Sequence, residues 1–475
     1  MKVRTRFAPS PTGTIHLGSV YQILFDYAYA KKNRGDFIVR VEDTDQKRYT
    51  KEAEERVYEG LSWLKIIPDE GPVTGGDYGP YRQSERLPVY KKYAEELVKN
   101  GFAYYCFCSE ERLEEVRKSC RKEKKAPKYD RSCRDVPLSE AMKKIAAGQK
   151  ATIRMIIPDD EKVICHDLVR GEIVFESNNL DDQVILKSDG FPTYHLASTV
   201  DDHLMKITHV VRGQEWLPSF PKHVLLYRYF DWQPPIFFHT PVILDPEGGK
   251  LSKRKGHTSL FWYKENGFLR DALLNFLSLL GWSHPEEKEI FSLEEFISLF
   301  DLKDVSPVAP IFDIKKLEWM NGEYIRAKTN SELVGLLKPF LPELNEKQLI
   351  IAAPLIKERI KTLKEARNLL EFIWAYPDCP RELLLQKVND CRIAREMLVA
   401  AKEIIKELGI DETIKLQESM LTIIKEKSWS TGCFFMVLRV AICVKPITPP
   451  ILESLPLIGK EEALIRISKA MDKLS

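Results

Sequence analysis

Two short stretches, far apart in the chain, carry residue types that could act on phosphate. The first reads Arg6-Phe7-Ala8-Pro9-Ser10-Pro11-Thr12-Gly13-Thr14-Ile15-His16-Leu17-Gly18-Ser19, and the second Lys250-Leu251-Ser252-Lys253-Arg254-Lys255-Gly256. In the first, Gly13 and Gly18 would let a triphosphate and an adenine ring approach the backbone. A helix starting after them would aim its open N–H groups at the phosphates, and His16 could donate to a phosphate oxygen as charge builds there. In the second, Lys250 and Lys253 could offset charge on the β- and γ-phosphates, in a loop that Gly248, Gly249 and Gly256 leave free to close. Alone, each also reads as an ordinary feature: a surface histidine in a strand-turn-helix, or a solvated basic loop. Together they suit an ATP whose α-phosphate is attacked by a carboxylate.

A second constellation is built on sulfur. Cys106-Phe107-Cys108 and Cys133-Arg134-Asp135 bracket a basic run, Arg117 to Arg134, that holds Lys118, Arg121, Lys122, Lys124, Lys125 and Lys128. Two thiolates one residue apart plus a distant third can ligate zinc, and the same thiols could equally stand unligated. The basic run could lie against nucleic-acid phosphates or be a solvated face.

The elements that must position these residues follow from periodicity. Val3 to Ala8 reads as a strand, Val20 to Lys31 as a helix, Phe37 to Val41 as a strand and Ala53 to Leu64 as a helix, an alternation that argues for a parallel α/β sheet. The stretch Ala151 to Leu186 reads as strands at Thr152–Ile157, Glu172–Phe175 and Val184–Leu186. The α/β pattern resumes at Thr193–Ser198 and Val210–Gly213, and beyond Leu260 helical patterning persists to the end. The fold class expected is α/β: a Rossmann-type parallel-sheet domain split by an α+β insertion and followed by an all-α C-terminal half. At 475 residues the chain exceeds a single compact core. The divisions expected are 1–100 and 191–241 for the split sheet, 101–190 for the insertion, 242–322 for a segment carrying the lysine loop, and 323–475 for the helical half.

Composition narrows the classes. Hydrophobic content of 44% with 30% charged residues describes a soluble globular protein. A net charge of only +2 neither demands nor excludes a nucleic-acid partner. Nine cysteines give no even disulfide framework. Met1 to Phe7 leads straight into folded-looking sequence with no apolar signal core, and no stretch approaches the roughly 18 to 20 apolar residues of a membrane span. The expectation is a reduced, cytoplasmic chain with mostly free thiols and no membrane.

The two phosphate motifs resemble the signatures of class I aminoacyl-tRNA synthetases. The words around them are similar to glutamyl-tRNA synthetase over nearly the whole chain: Arg6 to Gly13, Val39-Arg40-Val41-Glu42-Asp43-Thr44-Asp45, Gly79 to Arg86, Pro192 to Ala197, Val200 to His203, Lys250 to Arg254 and Trp319 to Gly322. The resemblance implies ATP with Mg²⁺ held around Pro9, Ser10, Gly13, His16, Gly18, Ser19, Lys250, Ser252, Lys253 and Arg254, with His16, Lys250 and Lys253 stabilising the transition state. It implies glutamate held by Arg6 and Tyr194 at the side-chain carboxylate, Glu42 at the ammonium and Arg212 at the α-carboxylate, assisted by Ser10 and Ser198, with Glu215 and Trp216 in the pocket wall. Arginines that pair with carboxylates favour glutamate over neutral glutamine.

The resemblance further implies transfer to the 3′ end of tRNA-Glu by a monomer, with Arg359 at the last anticodon base. The alternative is a non-discriminating form that also charges tRNA-Gln. Three positions depart from the pattern: Ser19 replaces a second histidine, Ser198 an asparagine, and Asp135 the histidine that joins Cys106, Cys108 and Cys133 on zinc in some members. Either Asp135 or Cys120 could then complete the metal site. A glutamine enzyme would have a β-barrel-rich C-terminal half, and a tRNA-independent nucleotidyltransferase would need no helical half at all.

Overall fold

A computed structural model describes residues 2–11, 13, 15–124, 127–251 and 258–475. The chain forms two compact units, one of Met1–Trp262 with Leu274–Asp313, the other of Tyr263–Leu273 with Ile314–Ser475.

In the first unit, β1 (Arg4–Phe7) and β2 (Asp36–Val39) run parallel with Arg6 opposite Ile38, joined by the helix Leu17–Lys32. That helix buries Val20, Ile23, Leu24 and Ala28, the i, i+3, i+4 set that holds it on the sheet. β3 (Ala103–Cys106), β4 (Thr152–Met155) and β7 (Val184–Leu186) form an antiparallel sheet in the order β3-β4-β7. β5 (Lys162–Asp167), β6 (Gly171–Glu176), β8 (His209–Gly213) and β9 (Ile236–Thr240) form a third sheet, ordered β6-β5-β9-β8, with β8 and β5 both parallel to β9. The Thr208 N–H donates to the Arg4 carbonyl at 2.9 Å, laying the start of β8 against β1.

Three of these strands are absent from the periodicity reading: β3, β5 and β9. β5 turns Val163, Cys165 and Asp167 inward and Lys162, Ile164 and His166 outward. An apolar residue facing out and an acid facing in scramble the alternation that marks a strand. β5 and β6 lie within the 101–190 stretch read as the insertion, yet they hydrogen-bond into the sheet of β8 and β9.

The second unit is helical from Ile314–Ala327 to Lys460–Asp472. Capping boxes at Thr329–Glu332 and Asn345–Gln348 start two of its helices. Cys391–Leu408 buries Ala394, Met397, Leu398, Ala401 and Ile405 on one face. The 263–273 segment is tied into this unit by hydrogen bonds from Leu269 N to Asn321 Oδ1 at 2.7 Å and from Leu363 N to the Gly267 carbonyl at 3.0 Å. Ile356, Ile360 and Leu363 recur at helical spacing and are buried, but the helix Glu346–Ile356 ends before Arg359. Arg359 sits exposed on the turn beyond, its N–H bonded to the Ile356 carbonyl at 2.8 Å. Among the described residues no helix is long and apolar enough to cross a membrane.

Candidate active site

The two phosphate motifs are brought together by backbone. His16 forms an antiparallel bridge with Ser259, Leu17 N donates to the Thr258 carbonyl at 2.7 Å, and Leu260 N donates to the Ile15 carbonyl at 3.0 Å. The segment that leaves the lysine loop is therefore stitched to the residues around His16. His16 occupies the N-cap of Leu17–Lys32 in extended conformation, which places the positive end of that helix beside the site, its first N–H taken by the Thr258 carbonyl. A Cβ at Gly13 or Gly18 would meet nothing within 4 Å, leaving open space above both. Lys250 lies in a tight turn where Asp245 N bonds the Gly249 carbonyl at 2.9 Å; Gly248 and Gly249 have φ of +98° and +78°, which require glycine. The Lys250 ammonium is exposed, 3.6 Å from Glu215 Oε1. Ser252, Lys253 and Arg254 fall outside the described residues.

A cavity of about 1550 Å³ gathers most of the remaining candidates: Arg6, Pro9, Ser10, Gly13, His16, Ser19, Glu42, Tyr194, Arg212, Glu215 and Trp216 all line it. Gly18, Ser198 and Lys250 are not part of its wall. The buried charged groups Arg6 and Glu42 are fixed from behind. Arg6, at the end of β1, donates through Nε to Asp202 Oδ1 at 3.1 Å and through Nη1 to the Val211 carbonyl at 3.1 Å. Arg40 is wholly buried and donates to Asp202 Oδ1 at 2.7 Å and to Glu42 Oε1 at 2.9 Å, with Asp201 Oδ2 3.7 Å from its Nε. Asp201 in turn accepts from Arg86, Gln83 and Tyr90 at 2.8, 2.9 and 2.8 Å.

These contacts set protonation. Burial raises Glu42 above the ordinary carboxylate range, and Arg40 and Arg6 only partly counter it. Burial would raise Asp202 too, but the charges of Arg40 and Arg6 outweigh it and hold its carboxyl below the ordinary value.

Arg212, on β8, donates through Nε to His239 Nε2 at 2.9 Å and through Nη1 to the Tyr194 hydroxyl at 3.4 Å; its Nη2 is buried with no partner. Tyr194 packs against Trp216 with ring centroids 4.3 Å apart and planes tilted by 34°. Ser198 follows one turn along the helix Tyr194–Leu204, buried, with its Oγ unpartnered. Buried donors without partners are costly, so Arg212 Nη2, on the cavity wall, marks where a polar ligand would be satisfied.

The three thiols of Cys106, Cys108 and Cys133 lie within 4.8 Å of one another, with Cys108 and Cys133 Sγ 3.6 Å apart. That spacing suits three corners of a tetrahedron with metal–sulfur bonds of about 2.3 Å. Asp135 is not part of this cluster, and neither is Cys120, whose Sγ faces the Lys128 carbonyl at 3.8 Å. The oxygen that stands there instead belongs to Tyr129: its hydroxyl is 3.4 Å from Cys106 Sγ and 3.3 Å from Cys108 Sγ, and it accepts from Cys133 N at 3.2 Å. Burial opposes a thiolate at Cys106, but hydrogen bonds from Tyr129, the Cys108 backbone and Arg154 bring its thiol down to about 7. Cys106 and Cys108 also line the large cavity.

Sequence reasoning missed Tyr129, Arg40, Asp202 and His239. The available signals were a hydroxyl-bearing residue four places before Cys133 and the family-like words that hold Arg40 and Asp202; His239 acts through partners remote in sequence.

Comparison with known proteins gives this geometry its relatives. Residues 2–319 match the family model "tRNA synthetases class I (E and Q), catalytic domain", and residues 332–471 match "Anticodon binding domain". A glutamate–tRNA ligase of Dehalococcoides mccartyi is 44% identical, the match covering 100% of this chain and 98% of that protein. One from Thermus thermophilus is 46% identical, covering 99% of this chain and 100% of the relative. A crystal structure of a glutamate tRNA ligase from Elizabethkingia meningosepticum, in complex with its amino acid, superposes with a TM-score of 0.91 at 37% identity, covering 100% of both chains. The chain belongs to the class I tRNA synthetases of the E and Q family.

Proposed function

We infer that the chain is a glutamate–tRNA ligase: it activates L-glutamate with ATP to glutamyl-adenylate and transfers the glutamyl group to the 3′ end of tRNA-Glu. The observation that carries this is the cavity in which Arg6, Glu42, Tyr194 and Arg212 converge beside His16 at a helix N-terminus. Two arginines and one carboxylate match the charges of a dicarboxylic amino acid. Arg6 and Tyr194 receive its side-chain carboxylate, Glu42 its ammonium, and Arg212 its α-carboxylate, with Ser10 and Ser198 supporting. The α-carboxylate attacks the ATP α-phosphate while His16, Lys250 and Lys253 stabilise charge on the phosphates. Mg²⁺ accompanies ATP, and Pro9, Gly13, Gly18, Ser19, Ser252 and Arg254 complete the nucleotide site. No side chain needs to act as a covalent nucleophile.

Residues 1–100 and 191–241 form the catalytic halves in this reading, 101–190 the acceptor-stem insertion, 242–322 the stem-contact segment, and 323–475 the anticodon-binding half with Arg359 at its tRNA surface. The enzyme works as a cytoplasmic monomer. Zinc would be held by Cys106, Cys108 and Cys133, with the Tyr129 hydroxyl as the nearest fourth group, and would brace the end of β3. Elemental analysis of the untagged protein and of C133S tests this: about one zinc per chain is expected, lost in the variant, and zinc-free active enzyme overturns it. The reaction itself is tested with labelled glutamate and purified tRNA-Glu and tRNA-Gln. Charging of tRNA-Glu is expected, and no charging of either tRNA by folded protein overturns the reading.

A further inference from the structure

The Arg212 guanidinium does not reach the cavity alone. β8 and β9 run parallel with Arg212 and His239 as register partners, which sets the two side chains on the same face of the sheet. β5 borders β9 on its other side, and there Asp167 Oδ2 meets both the His239 backbone N–H at 2.9 Å and the His239 Nδ1 at 2.8 Å. The other Asp167 oxygen accepts from the N–H groups of Val169 and Arg170 at 3.1 and 2.9 Å, so the carboxylate cannot turn. All three side chains of this row are buried.

The donor count fixes the imidazole. Arginine Nε carries only a donor, so the His239 Nε2 that it meets must be bare. Nδ1 then carries the proton and donates to Asp167, making the contact a hydrogen bond from a neutral imidazole to an ionised carboxylate rather than an ion pair. Burial, the Arg212 charge and nearby Arg170 oppose a second proton on His239 against the pull of Asp167, and its pKa lies below the ordinary histidine value. With Nε and Nη1 thus engaged, Nη2 is the atom left buried and unpartnered.

We propose that Asp167 and His239 are positioning residues for glutamate binding: the row Asp167–His239–Arg212 locks the guanidinium so that its free Nη2 edge meets the substrate α-carboxylate. This rests on the reading that Arg212 receives that carboxylate. Neither Asp167 nor His239 touches substrate; each acts through the next. The arrangement parallels the way a carboxylate sets the tautomer of a metal-bound histidine, with a guanidinium in place of the metal.

The test uses the full-length chain in tRNA aminoacylation, with KM for glutamate and for ATP measured separately. R212A is expected to raise the glutamate KM by about 100-fold or more. H239L, which removes the acceptor, should raise it by about 10- to 100-fold with the ATP KM unchanged. H239Q, whose amide can accept from Arg212 and donate to Asp167, should recover most of that loss. D167N keeps the shape but sets an NH₂ against a donor, so it should raise the glutamate KM by about tenfold. In the H239L background D167N should add less than about twofold, because the path to Arg212 is already cut.

A readout independent of activity comes from ¹⁵N-histidine NMR of the unmodified enzyme, with His239 assigned by its loss in H239Q. The neutral Nδ1–H tautomer should persist from about pH 6 to 8. If H239L does not fold, D167N and the NMR decide. Folded H239L and D167N with unchanged glutamate KM, while R212A is impaired, overturn the row alone. A protonated or Nε2–H His239 at neutral pH overturns it as well. R212A with unchanged glutamate KM overturns the reading beneath it.

Discussion

Arg40 shows how much of this site lies beneath the residues that would touch substrate. Its side chain is fully buried and its nitrogens face Asp202, Glu42 and Asp201, at 2.7, 2.9 and 3.7 Å. Breaking a buried charge cluster by removing one member typically costs about 3–5 kcal/mol, because the remaining charges are left unpaired in a low dielectric. R40M is therefore expected to lower stability by about that amount, read as the denaturation midpoint of the first unit, and R40K should recover only part because a single ammonium cannot span three carboxylates. A neutral effect of R40M would mean the carboxylates take up protons at little cost. The residues expected at the surface of the pocket were legible in sequence because their chemistry demands their type: carboxylates call for arginine, and phosphates for glycine, histidine and lysine. The roles of Arg40, Asp202, Asp167 and His239 were not legible. They exist only through strand register and through partners such as Arg212, 27 positions from His239.

Local signals, where they exist, decide the elements. Thr329 caps the helix Asn330–Leu337: its Oγ1 accepts from Glu332 N at 3.2 Å, and Glu332 Oε2 accepts from Thr329 N at 2.7 Å. The reciprocal pair satisfies two helix-end donors at an exposed position, so T329A should cost about 1 kcal/mol in the second unit, measured by chemical denaturation, with T329S close to neutral. The helix Leu17–Lys32 is readable because its apolar residues repeat at the helical period, and β2 because Phe37, Ile38 and Val39 form a short apolar run. β5 is not, since Ile164 faces solvent while Asp167 faces the sheet interior. Around Arg359 the helical patterning misleads for a related reason. Ile356, Ile360 and Leu363 keep helical spacing and are all buried, but the chain satisfies them with a helix end followed by a turn rather than a continuous helix. Periodicity reports which side chains go inward and is silent on whether the backbone between them stays regular.

At the scale of the whole molecule the two units differ in what acid can do to them. All nine histidines fall within Met1–Trp262 and Leu274–Asp313, and the second unit has none. Five of them, His195, His203, His209, His223 and His239, have pKa values below the ordinary histidine value, in each case chiefly because burial disfavours the charged ring. His195 is lowered to about 3 and His209 to about 4. The unfolded chain takes up protons at these rings below about pH 6.5 and the folded unit does not, so the unfolded state binds more protons and stability falls with pH. The loss begins near pH 6.5 and continues until the folded rings themselves titrate. Its slope is up to about 1.4 kcal/mol per pH unit for each histidine involved. Asp26, Glu42 and Asp201, whose carboxyls burial raises, act in the opposite sense and offset part of the slope. Mild acid should therefore open the first unit before the second. Hydrogen exchange followed by mass spectrometry, corrected for intrinsic rates, should show peptides of 191–241 losing protection between about pH 6.5 and 4.5 while those of 391–472 keep theirs. Loss of protection in the helical unit first, or in both at once, would contradict the assignment of acid sensitivity to the buried histidines.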